Sequence, residues 1–597
     1  MLNAMRLSRL GPFLLLCAAP IAGLPAQDAR VDSLDTFVQE HMARRRIPGV
    51  SLAIIQDGRI VAARAYGVLD ETTRAPVTPA TLFQAGSISK PVSALGALHL
   101  VEAGRLTLDG DVNAQLTAWK VPESAFTTTE KVTLRRILSH SAGLTVHGFP
   151  GYDVSEPVPS VVQVLDGAPP TNTRPVRVDT TPGAIWRYSG GGFTVMQQLM
   201  VDVTGTPFPQ FMQGTVLGPI GMTGSSFEQP LPPERAALTA AGHYADRTPV
   251  RGRWHVYPEM AAAGLWATPT DLARFAIEIQ QTLAGKGHGV ISPAMARQFV
   301  TVQKGSYGLG VGVRGGGDTL SFSHGGRDEG FDAMLLAFAE TGQGAAIMIN
   351  ANDNSRFMGR LLDFIGRAYG WPQGGLPAGP PAAIVAAPIE SARLARYAGY
   401  YELFENQMIT LVPNASGTGL ETLVDGLPDE EFLAIDSVRF GSAERRMRIA
   451  FTLDPGGAAT GVVWREGEGP PGERTIARVA PLPASQTPMQ DPDSSLTARI
   501  VAALLAIRAG GQSLAHAPDI PPGTKEDFAG GIGSSLDGLR VLAWLGVEDV
   551  SARGIRRHGS EVAWVRYYRV TTDAGARSLL VHLTAEGSIA DYDVVER

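Results

Sequence analysis

Phe83-Gln84-Ala85-Gly86-Ser87-Ile88-Ser89-Lys90-Pro91 is the stretch on which the reading of this chain turns. A small-residue turn, Ala85-Gly86, delivers a serine, and a lysine follows three positions later. Val92, Leu95, Leu98 and Val101 then recur every three residues, with Ala94 and Ala97 among them, until Gly104 supplies a stop. That period predicts a helix. Pro91 falls in its first turn, where a missing N–H is tolerated. Residues i and i+3 share a helical face, so the Lys90 ammonium can reach the Ser87 hydroxyl. At the helix N-terminus Ser87 would also meet free N–H groups and the positive end of the macrodipole, which favour a developing negative charge. A serine hydroxyl is a weak nucleophile until a base stands beside it, and a desolvated lysine can be that base. The same letters also fit a capping serine followed by a solvated lysine. Against that, the chain has six lysines, and only Lys90 has a serine three residues before it.

At 597 residues the chain is too long for one core and predicts several domains. Its 44% hydrophobic and 18% charged residues are ordinary for globular protein. A net charge of −7 gives no electrostatic reason to expect nucleic acid or an anionic membrane as partner. Residues 1–26 read as an export signal: Arg6 and Arg9 precede an apolar run from Gly11 to Leu24, and Pro25-Ala26 offers a cleavage point. The run is too short to span a bilayer, and no later segment resembles a span. The only cysteine, Cys17, lies inside it, so a mature chain cut after Ala26 would have no disulfide, no thiolate metal site and no cysteine nucleophile. The resulting expectation is an exported, periplasmic or secreted protein stabilised by core packing.

Residues 27–371 predict a mixed α/β layer structure. Leu34, Phe37, Val38 and Met42 mark an amphipathic helix, and Val50–Ile55 and Ile60–Tyr66 make a hairpin across Asp57-Gly58. The segment from Pro150 to Pro182, rich in proline, threonine and valine, reads as loops over a site. A helix follows Trp186-Arg187-Tyr188-Ser189-Gly190-Gly191-Gly192, with Phe193, Met196, Leu199, Met200 and Val203 inward. Thr268-Pro269-Thr270-Asp271 opens another, with a capping threonine, proline at the first position and a structural acid three after the cap. Strands are expected over Tyr307–Val313, Thr319–Ser323, Phe331–Phe338 and Ala345–Asn350, then a helix with Phe357, Leu361, Phe364 and Ile365. Residues 372–389 read as a linker, 390–483 as a β-barrel or meander, 484–493 as a second linker, and 494–597 as a small α+β module.

Ser87-Ile88-Ser89-Lys90, then Tyr188-Ser189-Gly190, then His324-Gly325-Gly326 on a strand resembles the β-lactamase and penicillin-binding-protein superfamily, most closely the class C β-lactamase-like serine hydrolases. Leu138-Ser139-His140-Ser141-Ala142-Gly143-Leu144 and Ala263-Gly264-Leu265-Trp266-Ala267-Thr268 are similar to stretches of that branch, and the likeness runs from about Val31 to Trp371. It implies an α/β three-layer sandwich of the β-lactamase/transpeptidase type. It also implies that Ser87 becomes acylated while Lys90 and Tyr188 move the proton, the lysine charge favouring the tyrosine phenolate. The N–H groups of Ser87 and Arg327 would form an oxyanion hole, and His324, Gly325 and Gly326 would bind substrate. Neither metal nor cofactor is implied. His140 reads as structural.

Two departures point away from an efficient β-lactamase. The tyrosine motif usually ends in asparagine, whose amide helps to bind the substrate, and here Gly190 stands there. The third motif usually begins with lysine, and here it begins with His324, which is expected to be only partly charged near its ordinary pKa of ~6.5. Histidine there resembles the D-aminopeptidase and esterase-like branch. Gly310-Val311-Gly312-Val313-Arg314-Gly315 matches a dinucleotide fingerprint by letters only, since no helix opens after it. The sequence thus predicts a serine hydrolase acting on a small amide, peptide or ester. The alternatives are a β-lactamase or D,D-carboxypeptidase proper, and a penicillin-recognising sensor that acylates without turnover. The sequence does not indicate what the two C-terminal modules bind.

Overall fold

The computed structural model describes residues 24–245, 247–372, 384–404, 407–424, 426–442, 447–466, 473–481, 487–509, 511–528, 539, 541–572 and 575–595. The expected signal segment up to residue 23, most of the first expected linker and residues 484–486 of the second lie outside these residues. Helix α1, Leu24–Arg45, runs through the expected cleavage point.

Six antiparallel strands make the central sheet: β1 Gly49–Gln56, β2 Arg59–Gly67, β3 Gly312–Arg314, β4 Ser321–Asp328, β5 Phe331–Phe338 and β6 Gly344–Ile349. Their order is β2-β1-β6-β5-β4-β3, so the first hairpin pairs with the last strand of the same layer. Because side chains alternate across a strand, β1 sends Val50, Leu52 and Ile54 to one face and Ala53 to the other. The first face is covered by Leu34 and Val38 of α1 and by Phe357, Leu361 and Ile365 of α5, Phe357–Tyr369. The second packs on the larger core, which holds α2, Ser89–Glu102, α3, Gly190–Thr204, and α4, Pro269–Leu283. Helices on both faces of the sheet give the three-layer sandwich expected.

Local chemistry accounts for the helix ends. Thr268 caps α4 by accepting from the Asp271 N–H at 3.1 Å, and Asp271 accepts from Gly224 N and Ser225 Oγ at 2.9 Å each, so this acid is structural as expected. Helix α2 ends at Glu102, and Gly104 follows with φ +70°. One strand is shorter than the sequence suggests: of Tyr307–Val313 only the end joins β3. Gly310 takes φ +106°, and a Cβ there would lie 2.9 Å from Ala94 Cβ of α2. The preceding residues therefore turn over that helix, with Tyr307 bridging to Gly312 within the segment rather than lengthening the strand.

Beyond the sandwich, eight strands between Gly399 and Pro481 form a closed antiparallel barrel filled by Tyr401, Phe432, Phe440, Phe451 and Trp464. A helix over Ser494–Ala509 then packs Ile500, Leu504 and Ile507 on a four-stranded sheet that includes Tyr568, Val570, Leu579 and Val581.

Candidate active site

The serine sits in a turn, one residue short of where the sequence places it. Gly86–Ile88 form a single 3₁₀ turn that runs directly into α2. Gly86 has φ +51°, a left-handed conformation that favours glycine. The turn is tied down by Ala85 N donating to the Leu265 carbonyl at 2.8 Å and by Ser89 Oγ donating to the Gly86 carbonyl at 2.6 Å. Two stretches noted in the sequence, around Phe83 and around Trp266, therefore meet; Phe83 and Gln84 pair with Ala267 and Trp266.

Lys90 is buried, with its Nζ 2.9 Å from Ser87 Oγ and 2.7 Å from the Ala262 carbonyl. A buried amine needs such partners. The faces of Tyr188 and Phe193 complete its surroundings, with ring centroids 5.0 and 5.9 Å from Nζ.

Tyr188 is positioned from α3. Ser189 caps that helix by accepting from Gly192 N at 3.0 Å, and its hydroxyl donates to the Thr145 carbonyl at 2.8 Å. The Ser189 N–H donates to His140 Nδ1 at 3.1 Å, which places the imidazole ring 4.1 Å from the Tyr188 ring. His140 thus packs behind the tyrosine, and burial holds its pKa well below the ordinary value. On the other side His147 lies 4.9 Å from Tyr188. Gly190 donates to the His147 carbonyl at 2.9 Å, and a Cβ there would stand 3.0 Å from that oxygen and from the Phe149 ring. The asparagine missing from this motif would have to displace these neighbours.

His324 differs from expectation in charge. Its ring is buried, with Nδ1 2.5 Å from the Gly325 carbonyl and Nε2 3.0 Å from the Tyr307 hydroxyl. These partners fit a neutral ring that donates from Nδ1 and accepts at Nε2. Burial and the Lys90 charge push its pKa down to about 3, so the partial charge expected near neutral pH is absent. The sequence offered no sign of Tyr307, whose position in a predicted strand carries no chemical signature.

Strand β4 passes very close to the serine turn. A Cβ on Gly326 would lie 1.9 Å from the Ala85 carbonyl oxygen and 3.2 Å from Ser87 N, and one on Gly86 would lie 2.4 Å from Arg327 N. The backbone near Ser87 and Arg327 is thereby brought together. Gly325 is exposed and has no such constraint. A cavity of about 690 Å³ opens over this junction and is lined by Ser87, Tyr188, His324 and Gly326, among others.

The sequence also did not single out two buried carboxyls. Glu259 and Asp328 are buried, and no side chain hydrogen-bonds to their oxygens. Burial raises Glu259 to about 8 and Asp328 well above the usual carboxylate range. Among the described residues, no group of three or more His, Cys, Asp or Glu is arranged to hold a metal ion.

Several known proteins are similar to this chain. Penicillin-binding protein 4 of Amycolatopsis lactamdurans is 26% identical over 380 residues, 60% of this chain and 94% of its own length. Esterase EstB of Burkholderia gladioli is 29% identical over 232 residues, and Protein flp of Staphylococcus aureus strain MRSA252 is 22% identical over 351. These two matches take in 37% and 56% of this chain, and only 56% and 65% of the relatives' own lengths. In fold, the chain is similar to the octameric penicillin-binding protein homologue from Pyrococcus abyssi, with TM-score 0.51 and 21% identity over 75% of this chain and 99% of that one. The β-lactamase family profile matches residues 34–369, which contain the serine turn, Lys90, Tyr188 and His324, and the chain belongs to that family of serine hydrolases.

Proposed function

We propose that the protein is an exported serine hydrolase that cleaves a small amide, peptide or ester through an acyl-enzyme on Ser87. The observation that carries this reading is the 2.9 Å contact between Lys90 Nζ and Ser87 Oγ, with Tyr188 packed over the amine. In this mechanism Ser87 Oγ attacks the substrate carbonyl carbon, and its proton passes to the Lys90–Tyr188 pair. The carbonyl electrons move onto oxygen, where the Ser87 and Arg327 N–H groups stabilise the charge. Collapse expels the leaving group, which takes the proton from the pair. Water then attacks the acyl carbon by the same route, and the acid leaves. The first twenty-six residues support export, and among the described residues no helix is long and apolar enough to cross a membrane. The two C-terminal modules are read as accessory units.

β-Lactamase or D,D-carboxypeptidase activity is the second reading, favoured by the likeness to penicillin-binding proteins. Gly190 and the neutral His324 weigh against it, since both remove contacts to a substrate amide and carboxylate. A sensor that acylates without turnover is separated by kinetics: it releases one leaving group per chain and stops. The test is a fluorophosphonate probe together with p-nitrophenyl butyrate turnover. The parent is expected to be labelled at one residue, and Ser87→Ala to lose both labelling and hydrolysis. Labelling that survives the substitution would remove Ser87 from the mechanism.

A further inference from the structure

A chain of hydrogen bonds, buried at Arg45, Asp353 and Asp332 and half-exposed at the Arg327 side chain, joins the barrel to the strand that carries the Arg327 N–H. It begins at the barrel hairpin 419–434, where the Val424 and Leu427 carbonyls accept from Arg45 Nη1 at 2.7 and 2.8 Å. The rest of the Arg45 guanidinium, Nε and Nη2, donates to Asp353 Oδ1 at 3.2 and 2.9 Å, and Arg247 Nη2 reaches the same oxygen at 3.1 Å. Asp353 meets the Arg327–Asp332 pair twice. Its carbonyl accepts from Arg327 Nη2 at 3.1 Å, and its N–H donates to Asp332 Oδ2 at 2.8 Å. Asp332 is the cross-strand partner of Arg327 and takes its Nε and Nη2 at 2.7 and 2.6 Å. Arg45, Asp353 and Asp332 are 1, 5 and 3% exposed, so water cannot replace a lost partner. A guanidinium fork fixes orientation as well as distance.

We propose that Arg45 is a positioning residue for the reaction: seated on the barrel hairpin, it fixes Asp353 and, through the Arg327–Asp332 pair, holds the Arg327 N–H where the oxyanion develops. This rests on the acyl-enzyme reading of Ser87 and makes the barrel part of the catalytic apparatus. Displacing a preorganised donor by a fraction of an ångström lowers the rate of the chemical step while leaving ground-state binding intact.

The experiment is a double-mutant cycle on the full chain with Arg45→Lys and Arg327→Met, the latter keeping its backbone N–H. The readouts are kcat and KM for p-nitrophenyl butyrate, and Ki for phenylboronic acid, whose tetrahedral serine adduct occupies the oxyanion hole. Arg45→Lys is expected to lower kcat and weaken the boronate by about ten-fold each, with KM unchanged. The double variant is expected to be no worse than Arg327→Met alone, because one connection cannot be broken twice. Arg45→Lys values within about two-fold of the parent, or losses that multiply in the double variant, overturn the proposal. If Arg45→Lys is not recovered folded, Arg45→Gln takes its place, with Arg247 still facing Asp353. A parent that fluorophosphonate does not label at Ser87 overturns the acyl-enzyme reading itself. A labelled parent with independent losses overturns only the role of the barrel.

Discussion

At the scale of single residues, the site depends on which groups can give up a proton. Arginine at position 90 would keep a positive charge but cannot be deprotonated in a protein. Lys90→Arg is therefore expected to be nearly as damaging as Lys90→Ala in kcat for p-nitrophenyl butyrate. Most of the activity surviving in Lys90→Arg would reduce the lysine to a counter-charge. His324 gives a second test. With its pKa at about 3, the ring stays neutral from pH 6 to pH 8. The ratio of kcat/KM for nitrocefin to that for p-nitrophenyl butyrate should then hold within about three-fold over that range. A ratio that climbs steadily toward pH 6 would restore the charged histidine inferred from sequence. The missing carboxylate and amide contacts should also keep nitrocefin below the ester by roughly two to three orders of magnitude.

At the scale of elements, the site is the place where β4 leans on the turn ahead of α2. The three letters His324-Gly325-Gly326 hold two glycines with different duties. Gly326 has the Ala85 carbonyl where a side chain would start, whereas a Cβ on Gly325 finds its nearest atom 3.9 Å away. Gly326→Ala must push the strand off the serine turn and is expected to lower kcat at least ~10²-fold, the effect of losing an oxyanion donor. Gly325→Ala should keep the parent's melting temperature. Equal changes in melting temperature for the two substitutions would mean that the close approach does not matter. The helices and the first hairpin were legible because their signals are local: apolar period, Asp57-Gly58, Thr268 as a cap. The shortened β3 was not, since Gly310 bends away only because α2 lies underneath it.

At the scale of the whole molecule, the sandwich buries Glu259, and that burial favours the protonated acid. An acid whose pKa is higher folded than unfolded binds its proton more tightly when folded. Glu259, raised to about 8, therefore contributes full stability below the unfolded value of ~4.3 and loses it as the pH rises toward 8. The loss amounts to about 1.4 kcal/mol per pH unit across that window. Glu259→Gln should match the parent's Tm near pH 5 and exceed it near pH 8, as measured by thermal melts at both. A gap that does not change with pH would show that Glu259 is ionised in the folded chain.

By itself the sequence determined the serine–lysine spacing, the order of the three motifs, the layer of helices and strands around them, and the alternating runs of the barrel, because each is a pattern within a few neighbouring residues. Only the tertiary structure decided that His324 is neutral, that His140 backs Tyr188, that Tyr307 reaches His324, that two carboxyls are buried without a side-chain partner, and that Arg45 links barrel to sheet. Charge state depends on burial and on partners up to hundreds of residues away in the chain, as with Arg45 and Asp353, 308 positions apart. No local pattern encodes that distance; it exists once the layers have packed.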